Sequence, residues 1–152
     1  MGTKPSMVDI SAKKIIYREA EAYGRIKLRK DTVRLIREGG VEKGDPLTVA
    51  SIAGILAAKS TPHLLPMCHP IEITKVDVTC NVEDEEHVAC RSLVRAVART
   101  GVEMEALTAV SVALLNIWDM VKRYEKDERG LYPYTAIEEI KVLSKVKREA
   151  SQ

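Results

Sequence analysis

From Val76 to Glu83 the chain alternates apolar and polar residues: Val76, Val78, Cys80 and Val82 against Asp77, Thr79, Asn81 and Glu83. A period of two predicts a strand with one buried face. "EDEEH" follows as a polar turn, and His87 to Arg99 predicts a second strand, so the pair reads as a hairpin. Ile15 to Leu28 alternates partially, with Ala20 and Ala22 against Glu19, Glu21 and Tyr23, and is expected to be extended. Tyr134 to Val146 reads as a last strand, although Ile137, Val142 and Val146 do not keep a clean period. Met7 to Ile10 is expected to add a short strand.

Helical patterns lie between these segments. Asp31 to Glu38 predicts a short helix, capped by Asp31 and stopped by Gly39-Gly40. "KGDPLTVASIAGILAAKS" predicts a second, with Asp45 as N-cap and Pro46 as first helical residue, where its missing N–H costs nothing. Ala50, Ala53, Gly54, Ala57 and Ala58 make that helix slim, and Thr61-Pro62 is expected to end it. After Gly101, Glu103 to Tyr124 predicts a long helix, apolar almost all round from Ala106 to Trp118. Such a helix sits deep in a core or under another subunit.

The elements predict an α+β fold, with a mainly antiparallel sheet covered by helices on one face. With 152 residues and neither linker nor repeat, residues 1–152 are expected to form a single domain. Residues 1–6 and 148–152 are expected to be flexible ends.

Composition narrows the function. The core must be aliphatic, since the chain has no Phe and one Trp. Twenty-four basic residues against 22 acidic give a net charge of +2, which announces neither a nucleic acid nor a membrane partner. The apolar run Ala106 to Trp118 is short for a bilayer and contains Thr108, Ser111 and Asn116. Cys68, Cys80 and Cys90 are odd in number and no signal peptide is visible, so reduced thiols in a cytoplasm are expected.

Three places attract chemistry. "PMCHP" sets Cys68 and His69 between two prolines. A metal site would need about four ligands, and no C-x-x-C is present. Adjacent side chains in an extended segment point to opposite sides, so Cys68 and His69 make a poor nucleophile–base pair. What stands is a loop histidine satisfied by a carbonyl, or a rigid segment presenting His69 and nearby N–H groups to a ligand. "TGVEMEAL" opens the long helix with Glu103 and Glu105, where carboxylates complement the helix dipole or grip a polar ligand. "IWDMVKRYEKD" places Asp119 and Lys122 three residues apart, as a surface ion pair or an acid–base couple. Lys43 precedes one helix start and Lys59 closes that helix, positions that suit an anion, though no phosphate-loop signature is present. Glu105 and Asp119 are fourteen residues apart, roughly 21 Å along a helix. One small substrate could touch both only if the site were shared between subunits.

Taken together, "MVDISAK", "KGDPLTVASIAGILAAKSTPHLLPMCHP", "KVDVT", "TGVEMEALTAVSVALLNIWDMVK" and "IEEIKVLSK" resemble molybdenum cofactor biosynthesis protein C, the cyclic pyranopterin monophosphate synthase family, from Met7 to about Lys145. The resemblance implies a ferredoxin-like core and a homohexamer built as a trimer of dimers, with active sites at a dimer interface. It implies a lyase of the cytoplasm that needs no cofactor and converts the nucleotide-derived 3′,8-cyclo-7,8-dihydro-GTP to cyclic pyranopterin monophosphate, releasing diphosphate. By the same resemblance Asp119, Lys122 and Lys43 are catalytic. Met67, Cys68, His69, Glu103, Met104 and Glu105 hold substrate, and Lys59 contacts phosphate. Arg18 also matches a family arginine, without a role. The tail "SKVKREASQ" departs from the family's Gly- and Lys-containing ending, which leaves Lys145 or Lys147 to substitute there. An RNA-binding domain is the competing class, since Arg91, Arg95 and Arg99 share a strand face, but no aromatic residues are interleaved for base stacking.

Overall fold

The computed structural model of the chain describes residues 2–149. The elements run β1 (Ile16–Lys27), α1 (Lys30–Arg37), α2 (Pro46–Lys59), α3 (Thr61–Leu64), β2 (Ile73–Val82), β3 (His87–Ala98), α4 (Glu103–Glu125) and β4 (Ala136–Arg148). The four strands form one sheet in the order β2-β3-β1-β4, with every neighbouring pair antiparallel. This is the ferredoxin-like arrangement, α+β as the alternation predicts.

The core lies between the sheet and the α2–α4 layer. Even-numbered residues of β1 and β3 face the helices: Ala20, Ala22, Ile26, Val88, Cys90, Val94 and Ala96 are fully buried. They meet Ala106, Ala109, Val110, Ala113, Leu114, Ile117 and Val121 of α4, likewise fully buried. By length and composition α4 would pass as a membrane span, but half of that window is buried against the sheet and α2, which is how a core helix behaves. Gly54 explains how close α2 lies. A Cβ there would sit 2.9 Å from Val78 Cγ1 and 3.0 Å from the Ala109 carbonyl oxygen.

The capping of α2 follows expectation. Asp45 accepts the Leu47 N–H at 3.0 Å and the Thr48 hydroxyl at 2.6 Å. The helix is not simply ended by Thr61-Pro62. A further turn, α3, follows, with the buried Thr61 hydroxyl donating to the Ala57 and Ala58 carbonyls. The start of α1 is not capped by Asp31. Instead the fully buried Glu125 carboxylate accepts the Arg29 N–H at 3.1–3.2 Å and the Thr32 hydroxyl. It also accepts the Thr135 hydroxyl at 2.7 Å, so one carboxylate ties α1 and the approach to β4 to the end of α4.

Two further expectations are corrected. Residues Met7 to Ile10 form no strand; they run as exposed irregular chain beside the sheet. β4 runs to Arg148, the first residue of the expected flexible C-terminal end, and residues 1 and 150–152 of the expected ends lie outside the described residues. Cys80 and Cys90 are not free thiols. The hairpin register sets them directly opposite, Cα to Cα 4.1 Å, and they are joined as a disulfide, leaving Cys68 as the free cysteine. The odd cysteine count conceals one cross-strand pair.

Candidate active site

Two clusters gather most of the residues singled out by the sequence, one at each end of α4. At the C-terminal end, helical spacing turns Asp119 and Lys122 to one side, and Lys122 Nζ donates to Asp119 Oδ1 at 3.0 Å. Lys43 arrives from the turn between α1 and α2. Its Nζ lies 3.5 Å from Asp119 Oδ2 and donates to the Asp119 carbonyl at 3.2 Å. The carboxylate is therefore flanked by two ammonium groups. The Lys122 hydrogen bond and charge, then the Lys43 charge, hold Asp119 below the usual carboxylate range, and Asp119 in turn raises Lys122. All three side chains are about half exposed in the single chain, so solvent screens these interactions.

At the N-terminal end lies a cleft of about 610 Å³, lined by Met67, Cys68, His69, Gly101, Glu103 and Met104, with Asp9 and Lys13 from the N-terminal segment. A neighbouring cleft of about 670 Å³ lies against the same segment and shares His69. The His69 Nε2–H donates to the Val8 carbonyl at 2.6 Å, so the histidine is both a carbonyl-satisfied loop residue and a wall of the cleft. Glu105 is 1% exposed. Its Oε1 has no hydrogen-bond partner, and its Oε2 lies 3.8 Å from the Cys68 thiol. Burial without a nearby cation pushes Glu105 up, and burial beside that carboxyl pushes Cys68 up as well. Cys68 is thus a poor thiolate. Burial also acts on Glu103, but the Lys145 ammonium, 2.6 Å from its Oε1, outweighs it and holds Glu103 below the usual range.

The structure brings Lys43 to Asp119 and Lys122, a contact invisible in the sequence because 76 residues separate the partners. It gathers Met67, Cys68, His69, Glu103 and Met104 around Gly101, with Glu105 against Cys68. It does not join the two clusters. Lys59, the exposed last residue of α2, has no ion-pair partner among the described residues. Asp9 and Lys13 were missed as neighbours of the cleft, and Lys145, expected only as a substitute contact in the tail, pairs with Glu103. "MVDISAK" and the divergent tail carried the signal, but nothing in the sequence says where an irregular segment or a strand end returns. No group of three or more His, Cys, Asp or Glu residues is placed to hold a metal among the described residues. The arginines of the hairpin are engaged internally: Arg95 pairs with Glu19 at 2.8 Å and Arg91 lies over the Tyr23 ring.

Fold and clusters define a class: a ferredoxin-like α+β chain with clusters of titratable side chains at opposite ends of one core helix. The MoaC family model matches residues 7–147. The chain is 60% identical to a protein of Sulfurisphaera tokodaii over 145 residues, 95% of each chain. It is 60% identical to one of Pyrococcus furiosus over 146 residues, 95% of this chain and 92% of that one. It is 54% identical to one of Saccharolobus solfataricus over 149 residues, 98% and 99% of the two. Each of these relatives is named probable cyclic pyranopterin monophosphate synthase. The chain belongs to the MoaC family.

Proposed function

We propose that the chain is a cyclic pyranopterin monophosphate synthase, a cytoplasmic lyase of molybdenum cofactor biosynthesis. It takes 3′,8-cyclo-7,8-dihydro-GTP and releases diphosphate, without a cofactor. The observation that carries this reading is Asp119 held between Lys122 and Lys43. Opening and reclosing rings around a purine carbon is proton work, and a carboxylate beside two ammonium groups can take and return protons. Forming a cyclic phosphate expels diphosphate, whose charge the lysines stabilise. His69, Glu103, Glu105 and the segment around Met67, Cys68 and Met104 hold the nucleotide-derived part, and Lys59 meets phosphate.

The site is shared between two copies. Asp119 and Glu105 lie roughly 21 Å apart along α4, too far for one substrate. The outer faces of α2 and α4 favour a second copy. From Pro46 to Ala58 and from Ala106 to Trp118 there is no charged residue, yet Ile52, Leu56 and Leu115 are each more than half exposed. Helices facing water normally carry charge there. The ends of α4 are complementary, acidic at Glu103 and Glu105 and basic at Lys122 and Arg123. A two-fold contact running α4 against its copy sets each acidic end at the partner's basic end and joins the two half-sites. Three such dimers make the hexamer.

Incubation with the cyclised dihydro-GTP, following diphosphate and pterin release, tests the reaction. Turnover is expected, with Asp119→Ala inactive; comparable turnover by Asp119→Ala would remove the catalytic assignment. Mixed oligomers of Asp119→Ala and His69→Ala subunits are expected to regain part of the activity. No recovery in verified mixtures would count against a shared site.

A further inference from the structure

Lys43 reaches Asp119 from a turn with little of its own to hold it. The segment has Gly39, Gly40 and Gly44 on its two flanks, and Gly39 and Gly44 have φ of 71° and 114°. The turn is closed by one hydrogen bond, Gly44 N–H to the Val41 carbonyl at 3.1 Å, and Val41 is the residue of the turn that enters the core. Two side chains of α4 grip the residue just before Lys43. The Glu42 N–H donates to the Tyr124 hydroxyl at 3.0 Å, and the Glu42 carboxylate pairs with the Arg123 guanidinium. Arg123 lies 5.6 Å from the centre of the Tyr124 ring, so the two gripping side chains also contact each other. Tyr124 is itself packed against the core, which makes its hydroxyl a fixed point.

We infer that Tyr124, assisted by Arg123, is a positioning residue that latches the 41–44 turn to α4 and so keeps the Lys43 ammonium on Asp119. This rests on the reading of Lys43 and Asp119 as reacting groups. The same helix supplies both sides of the arrangement: Asp119 as target and, little more than one turn later, Arg123 and Tyr124 as clamp. Glycine flanks let the turn swing when the clamp is open. Lys43 has four rotatable side-chain bonds, so its contact with Asp119 cannot anchor the turn by itself.

Tyr124→Phe removes only the latching hydroxyl and keeps the ring in the core. Three results are expected. The Glu42 amide exchanges its hydrogen faster than in the parent. kcat falls about two- to tenfold, the range of one lost hydrogen bond, with KM nearly unchanged. The Asp119 carboxyl, followed by carbon-13 NMR, titrates at higher pH because of the two ammonium groups facing it, Lys43 from the turn and Lys122 from α4, one has drifted away. In a Lys43→Ala background Tyr124→Phe should leave the Asp119 titration where Lys43→Ala alone puts it, whereas a merely structural role would move nothing at Asp119 in either background. Parent-like kcat and Asp119 titration in Tyr124→Phe, with the Glu42 amide released, would overturn the inference. So would equal shifts with and without Lys43. Failure of the underlying reading shows separately, as parent-like turnover by Lys43→Ala.

Discussion

Glu105 is the residue with the strongest physical demand on it. Its carboxyl is buried, one oxygen has no partner, and the other meets only a thiol. Burial raises its folded-state pKa above the ordinary value. The folded chain therefore holds the proton more tightly than the unfolded chain. Stability from this group is fully present below the unfolded value and is lost as pH rises towards the folded one. Glu105→Gln removes the charge at nearly constant shape. It is expected to unfold later than the parent at pH 7, by about 1 kcal/mol, with the gap closing near pH 4. Paired denaturant titrations at the two pH values check this. Asp119 runs the other way: its lowered pKa means that its ion pairs are present at neutral pH and are lost as pH falls through the acid range. Lys122→Ala is expected to abolish product formation while the far-ultraviolet dichroism stays that of the parent. The Asp119–Lys122 contact was legible because three-residue helical spacing sets the two on one face, whereas the burial of Glu105 was not. Lys43 at Asp119 was not, because a partner 76 positions away is found by folding alone.

At the scale of elements, the strict alternation of β2 and the N-cap of α2 were readable, since each is fixed by neighbours in sequence. β4 was harder. Its register against β1 shifts twice, and Glu139 adopts φ of 59°, so its side chains change face and the period of two is lost. Glu125 was missed as a cap for α1 because its partners come from opposite ends of the chain. Close helix packing makes Gly54 the sensitive point of α2. Gly54→Ala must push aside Val78 or the α4 backbone, and a loss of about 1–3 kcal/mol is expected in chemical denaturation. The Cys80–Cys90 bond spans ten residues of sequence, a loop the hairpin already closes. Reduction is expected to lower the unfolding free energy by about 2–3 kcal/mol, with the hairpin retained. Melting with and without reductant measures it.

For the whole molecule, one chain presents two separate clusters and an uncharged stretch on each of its two long helices. Ile52 stands 55% exposed near the middle of α2 and belongs to neither cluster. Ile52→Arg is therefore expected to break the assembly and, with it, activity, although the side chain belongs to neither cluster. Sedimentation paired with the turnover assay tests this; full activity in a monomer would show that one chain suffices. The opposite boundary of the fold has its own consequence. β4 is an edge strand of 13 residues, with Ile140, Val142 and Leu143 each about 40% exposed. A straight edge of that kind invites another copy to add its strand, and then another, without end. The two register shifts, the turned-over Glu139, and the cations Lys141, Lys145, Lys147 and Arg148 spoil the template. The irregularity that blurred this strand in the sequence thus guards against fibres; in the proposed assembly, growth falls to the helical face, where a two-fold contact closes on itself.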